Sequence, residues 1–341
     1  MPRPPFGAAR ALRRRALLAA GAGAIVLPLR AHAAVQRVQA HLFGGPVELL
    51  LPARVPAAVV APVLRGLAAI NRRWNAWKPG ELRSLNDALR AGRTVRAAPD
   101  LVALLRRAAT FETASAGAYN AALGGAVGAW GFHADRLLEG PAPAAATVQA
   151  WQRARPSLAQ LEIHGDMLRS TSPAVQIDLG GCAKGAAADW ALEQLAAAGV
   201  HDALVNLGGN LAARGGAGGR PWQVGLRDPF GPGLAARIET DGAEAVVTSG
   251  VYERWRVADG QRVVHVLDPA SARPLQPGLA SVTVLHRDAT LADAAATALL
   301  VAGPQAWMER ARRLGAAQAA VIDHAGRLQA TPALAARLQP A

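Results

Sequence analysis

Three groups of residues in the second half of the chain have types and spacing suited to chemistry. In the first, a β-like stretch carries Asp178, turns on Gly180 and Gly181, and opens a helix whose first turn holds Lys184, with Asp189 one turn further on. N–H groups at a helix start lack partners within the helix, and the macrodipole is positive there. Such a point suits a phosphate or another anion. Lys184 adds a full positive charge, and the glycines allow a ligand close to the backbone. The run matches neither a Walker A loop nor the Rossmann fingerprint. A plain strand–turn–helix junction with a capping Asp would carry the same residues.

The second group pairs Thr248, Ser249 and Gly250 with His265, Leu267, Asp268 and Pro269. A Thr-Ser-Gly turn at a strand end presents hydroxyl and N–H groups to a phosphate. Asp-Pro initiates a turn. His265 is open to three readings: a general base, a ligand, or a satisfied strand histidine. In the third group Asp293 and Thr297 lie four apart on a helix, so they share a face. A carboxylate and a hydroxyl suit a hard cation such as magnesium, which binds through few protein oxygens when phosphates supply the rest. The alternative is an Asp favouring the helix dipole beside a packed Thr. Weaker pieces are the turn Gly117-Ala118-Tyr119-Asn120, the Gly-rich run ending in Trp130-Gly131-Phe132, and an apolar run from Ala203 into Gly208-Gly209.

The elements that must position these groups follow from periodicity. Residues 38–52 alternate around Gly44-Gly45 and predict a hairpin or a bulged strand pair. Helical spacing marks 57–74, 99–114, 145–154, 183–198, 291–301 and 304–314, and 81–89 reads as a short helix or a loop. Strands are expected at 161–168, 175–179, 203–207, 222–227, 235–239, 245–248, 253–257, 263–267, 281–286 and 319–322. The Gly-dense stretch 208–220 is expected to turn. No fixed-period repeat is found. Blocks of strands with interspersed helices give an α+β class.

Composition bounds the remaining choices. A chain of 341 residues, 51% hydrophobic, can bury a large core without disulfides. Cys182 is the one cysteine, which excludes an intramolecular disulfide and Cys-based metal clusters. It reads as a small packed residue. The formal charge of +13 includes six Arg and no acid within residues 1–33; the rest carries 31 basic against 24 acidic residues. The Arg are scattered with no basic stripe, so nucleic acid is not an expected partner. A mild attraction for phosphorylated ligands is allowed.

The leader reads as an export signal. Arg13-Arg14-Arg15 precedes an apolar run over 16–29, and Ala31-His32-Ala33 offers a small-x-small cleavage site. Adjacent arginines before the apolar run suggest the twin-arginine route. The run is too short and weak for a good membrane span, and no cysteine follows it to carry a lipid. The expectation is a cleaved signal over 1–33 and a single periplasmic domain over 34–341, not an integral membrane protein.

Taken in order, these pieces resemble the ApbE family of flavin transferases. Trp74 to Leu82 with Leu85-Asn86 resembles its aromatic-Ser-x-Tyr and Ser-x-Leu pattern, and Gly117 to Asn120 its Gly-x-Phe-Asp. Trp130-Gly131-Phe132, Asp178 to Gly185 with Asp189, Leu204 to Gly209, Thr248 to Gly250, His265 to Pro269 and Ala292 to Leu299 fall in the family's order. The resemblance implies a T-fold-like domain with mixed or antiparallel sheets and interspersed helices, binding FAD with magnesium at the pyrophosphate. By position, Asp293, Thr297 and the Gly181 carbonyl would hold the metal. Gly45, Trp77, Ala118, Tyr119, Asn120, Asp178, Lys184, Thr248, Ser249, Gly250, His265 and Leu267 would line the FAD site, with Trp77 packing on the flavin. Asp293, His265 and Lys184 are the candidate catalytic groups.

The implied activity is magnesium-dependent cleavage of FAD, with FMN passed to a Thr or Ser hydroxyl of an acceptor protein and AMP released. The family's acceptors include subunits of the sodium-pumping NADH:quinone oxidoreductase (Nqr), the Rnf complex and NosR-type regulators. Two alternatives keep the same site: a periplasmic FAD pyrophosphatase giving FMN and AMP, and a non-catalytic FAD-binding or delivery protein. Asn120 stands where the family usually has Asp, Trp77 where it has Tyr, Gly80 where it has Ser, and Cys182 where an aliphatic residue is common.

Overall fold

The computed structural model describes residues 24–26, 35–276 and 278–341. Its frame is an eight-stranded antiparallel sheet: β1 (Val35–Leu42), β2 (Gly45–Pro52), β3 (Ala203–Leu207), β4 (Asn210–Arg214), β5 (Glu244–Gly250), β6 (Leu279–His286), β7 (Gln318–Asp323) and β8 (Leu328–Ala330). The strands lie side by side in chain order, and every pairing is antiparallel. The helices are α1 (Ala57–Arg73), α2 (Glu81–Arg90), α3 (Pro99–Ala114), α4 (Gly124–Ala129), α5 (Ala145–Ala154), α6 (Ala183–Ala197), α7 (Ala289–Leu314) and α8 (Pro332–Ala335). This bears out the α+β class.

Strict alternation gives the sheet two buried faces. Val47, Leu49, Val205, Val247, Val282 and Val321 point into the main core, which α1, α3, α6 and α7 cover. Leu50, Leu204, Leu211, Val246, Leu285 and Ala320 point the other way. There a small sheet of Ala24–Val26, Gln223–Arg227 and Leu234–Glu239, with Trp222 and Leu334, closes a second core. A third cluster joins Trp130, Phe132, Val148, Leu267 and Ala272.

Several expectations change in detail. The 175–179 run forms no strand, although Val175, Ile177 and Leu179 are fully buried. Its backbone is paired by a side chain instead: Asn86 Oδ1 accepts from Ile177 N at 2.7 Å, and Asn86 Nδ2 donates to Ile177 O at 2.8 Å. The neighbouring N–H groups of Gln176 and Asp178 donate to the carbonyls of Ala122 and Ala121. The 161–168 run splits into the hairpin Leu161–His164 and Met167–Ser170. Within 208–220, Gly208 and Gly209, both at positive φ, make a two-residue turn that launches β4. As expected, α7 is two helices in succession, which meet at Gly303, where the backbone is non-helical with φ at 72°.

Of the leader, Arg13 to Arg15 and the Ala31-His32-Ala33 site lie outside the described residues. Ala24–Val26, inside the apolar run, pairs antiparallel with Val224 to Leu226, and Ala24 is buried. Among the described residues, no helix is long and apolar enough to cross a membrane.

Candidate functional site

The site is built where α6 and α7 begin, beside the end of β5. Asp293, in the second turn of α7, reaches across to the first turn of α6. Its Oδ2 accepts from Gly185 N at 2.9 Å, beside the Lys184 N–H. One N–H at the α6 N-terminus is thus taken by the protein's own carboxylate. Burial is the largest influence on Asp293 and raises its pKa, opposed by the Lys184 charge and these hydrogen bonds.

Thr297 follows one turn later. Its Oγ1 lies 3.3 Å from Ser249 Oγ and 3.3 Å from the Asp293 carbonyl. A Cβ placed on Gly181 would sit 3.3 Å from Thr297 Oγ1 and 3.2 Å from the Tyr119 ring, so Gly181, Thr297 and Tyr119 meet at one point. Asp293, Thr297, Gly181 and Ser249 are thus brought together. Thr248 is on the opposite face of β5, and its hydroxyl pairs with Thr283 Oγ1 at 2.8 Å. Gly250 ends the strand against the Tyr252 ring.

His265 lies within electrostatic reach of Lys184. Its Nδ1 is 3.0 Å from the carbonyl oxygen of Arg254. A carbonyl only accepts, so Nδ1 carries the proton and Nε2 keeps its lone pair. Burial above all, and then the charges of Arg254 and Lys184, push the His265 pKa down to about 4 despite that hydrogen bond. The imidazole is neutral at neutral pH.

Each Asp178 oxygen has one partner. Gly180 N donates to Oδ1 at 2.8 Å, and His133 Nε2 lies 2.8 Å from Oδ2. Burial, the largest influence, pushes its pKa up, yet His133, the Gly180 N–H and Arg254 together bring it below the usual value. Trp77 stacks on His133 with ring centroids 5.0 Å apart and planes at 18°. Arg254 lies 5.7 Å from the Trp77 centroid, and its Nη2 donates to the carbonyls of Phe132 and Ala134 at 2.6 Å each. His133 and Arg254 were missed by sequence reasoning. Their signals were a histidine following Trp-Gly-Phe and an arginine four residues after Thr-Ser-Gly, which the structure places at the end of β5 rather than in a turn.

The turn at Ala118 to Asn120 divides its roles. Tyr119 is buried edge-on against Phe111 with centroids 6.1 Å apart, its ring beside Gly181. Asn120 ties down its own loop: Nδ2 donates to Pro156 O at 2.9 Å and Oδ1 accepts from Ala122 N at 2.8 Å. Gly45 opens β2 beside Gly208. The Leu267 side chain is packed in the third cluster. Cys182 is buried beside Tyr119 with its thiol pKa pushed up to about 12, first by burial, as expected of a packed residue. Asp189 caps α7, accepting from the N–H groups of Ala289 and Thr290 at 3.0 and 2.9 Å.

The donor set can be tested against a metal. Among the described residues no group of three or more His, Cys, Asp or Glu is placed to hold one. What gathers is one buried carboxylate, two hydroxyls and the Gly181 turn. That set suits magnesium only if a ligand brings phosphate oxygens.

The sequence profile of the ApbE family matches residues 43–322. The chain is 42% identical over 289 residues to an FAD:protein FMN transferase of Rhodobacter capsulatus, covering 84% of this chain and 55% of that protein. It spans little more than half the length of the first curated relatives it matches. An ApbE protein from Thermotoga maritima superposes with a TM-score of 0.81 at 24% identity, covering 89% of this chain and 99% of that one. The apo flavinyl transferase ApbE of Pseudomonas stutzeri gives 0.77 at 26% identity, covering 91% and 98%.

Proposed function

As this chain belongs to the ApbE family, we propose that it is an FAD:protein FMN transferase: it cleaves FAD, passes FMN to a Thr or Ser hydroxyl of an acceptor protein and releases AMP. The observation that carries this reading is the meeting of Asp293, Thr297 and Gly181 at the start of α6, with the Lys184 charge acting on both Asp293 and His265.

Asp293, Thr297 and the Gly181 carbonyl would hold magnesium, which when bound neutralises charge on the pyrophosphate. Lys184 supplies a fixed positive charge beside the phosphates. His265 Nε2 takes the proton as the acceptor oxygen bonds to the FMN phosphorus and the bond to the AMP oxygen breaks. Its Nδ1–H bond to the Arg254 carbonyl holds the tautomer this requires. The buried Tyr119 and Phe132 help exclude water, which would otherwise compete with the acceptor hydroxyl.

Acceptors of the Nqr, Rnf or NosR type, and export to the periplasm by the twin-arginine route, complete the proposal. They rest on the family's range and on the leader residues Arg13 to Ala33.

The test is mass spectrometry of the protein with FAD, magnesium and a flavin-acceptor domain, beside an FAD-only control. The expected result is one FMN gained by the acceptor, AMP released, and both lost on chelation. FMN and AMP with none of a panel of acceptors labelled would favour the pyrophosphatase. Bound, intact FAD would leave a carrier.

A further inference from the structure

Besides the metal-side residues, the site holds a second constellation. His133 makes two contacts of different kinds at once: its Nε2 meets Asp178 Oδ2 at 2.8 Å, and its ring stacks on Trp77 at 5.0 Å and 18°. Both partners in the hydrogen bond are largely buried, with side chains 17% exposed each. The fold makes room for the ring: a Cβ on Gly128 in α4 would lie 2.9 Å from His133 Nδ1. Outside this stack, Lys78 pairs with Asp135 at 2.7 Å, so the segments carrying Trp77 and His133 are joined twice. Trp77 Nε1 is buried with no hydrogen-bond partner among the described residues, a donor left for something that enters the site.

We propose that His133 is a positioning residue for FAD, binding the Trp77 ring and the Asp178 carboxylate into one unit so that the planar subsite and the polar subsite are set together. This rests on the reading of the chain as an FAD-cleaving enzyme. A ring that stacks on a tryptophan gains from a wall that cannot drift, and Trp77 is walled by His133. A carboxylate with one oxygen on Gly180 N and the other on His133 presents its remaining lone pairs in fixed directions.

The two contacts are separated by substitution. His133→Gln keeps an N–H donor toward Asp178 and loses the ring. His133→Phe keeps the ring and loses the donor. Gly128→Ala leaves the imidazole chemically intact and displaces it, which keeps the test open if a His133 variant fails to fold. The readouts are KM for FAD against kcat for AMP release, and the quenching of flavin emission on binding.

The expected result for His133→Gln and Gly128→Ala is KM raised about 2- to 10-fold, the worth of one aromatic stack. Their kcat moves less than KM, and quenching weakens. His133→Phe restores the quenching and still raises KM. Variants that match the parent in both KM and quenching overturn the proposal, as does a loss of kcat with KM unchanged. If the parent binds no FAD and releases no AMP, it is the functional reading that fails. If the parent turns over and the variants are indistinguishable from it, only the role of His133 falls.

Discussion

The backbone N–H of Gly185 donates to Asp293 Oδ2 at 2.9 Å across a gap that has no room for a side chain. A Cβ on Gly185 would stand 2.2 Å from the carbonyl oxygen of Ala289 and 2.9 Å from Asp293 Cβ. Helices α6 and α7 therefore touch backbone to backbone at the point where the acid is held.

Gly185→Ala is expected to force those helices apart. The obstacle is main chain, which cannot swing aside as a side-chain tip would. The cost is about 1–3 kcal/mol, as for overpacked cores. A thermal melt checks the stability, and AMP release should fall further than stability alone explains.

Asp293→Asn keeps an acceptor for Gly185 N–H and removes the charge. We expect the folded protein to persist and AMP release to drop at least 100-fold, on the order of one preorganised electrostatic contact at a reacting centre. Circular dichroism alongside the assay separates the two effects. Activity retained within a few-fold would remove Asp293 from the reaction.

Asn120→Asp, which restores the residue usual in the family, is expected to destabilise this chain. An ionised carboxylate cannot donate to Pro156 O and would face that carbonyl instead. The expected loss is about 1–3 kcal/mol, the cost of an unpaired buried acceptor. Denaturant midpoints measure it. An unchanged midpoint would mean that Asn120 does not tie down its loop.

The pH dependence of stability should carry the signature of His265. Its folded pKa of about 4 lies below the ordinary histidine value near 6.5. The unfolded chain therefore takes up the proton first, and stability is lost as pH falls from about 6.5 to about 4, with no contribution above that window. His265→Asn should flatten this part of the curve relative to the parent. Parallel urea curves at pH 7 and pH 5 decide it.

The frame was legible because its signals are periodic and local. The 99–114 helix was read to its bounds, and the β1–β2 hairpin followed from alternation around Gly44. What escaped was paired across distance. The backbone of Ile177 is satisfied by Asn86, and no period in the sequence couples those positions. Asp293 and Thr297 announced themselves by sharing a helix face. His133 and Arg254 did not, because their meaning comes from Trp77, Asp178 and two loop carbonyls brought in from elsewhere. The start of α6 was legible from its Gly turn, but the carboxylate from α7 that accepts from Gly185 N is a tertiary fact.

The chain-order sheet has a kinetic consequence. Three of the seven neighbouring pairs are joined by connections of two to four residues, whereas β2 and β3, adjacent in the sheet, are parted by residues 53–202, which hold all of α1 to α6. Closing a loop of that length has a large entropic penalty, and it must be met before the pairing returns any energy. The helical insertion can shorten that search by collapsing first and carrying β2 toward β3. Hydrogen exchange during refolding should then protect α1 and α3 before the amides that link Val47 to Leu50 with Leu204 to Leu207.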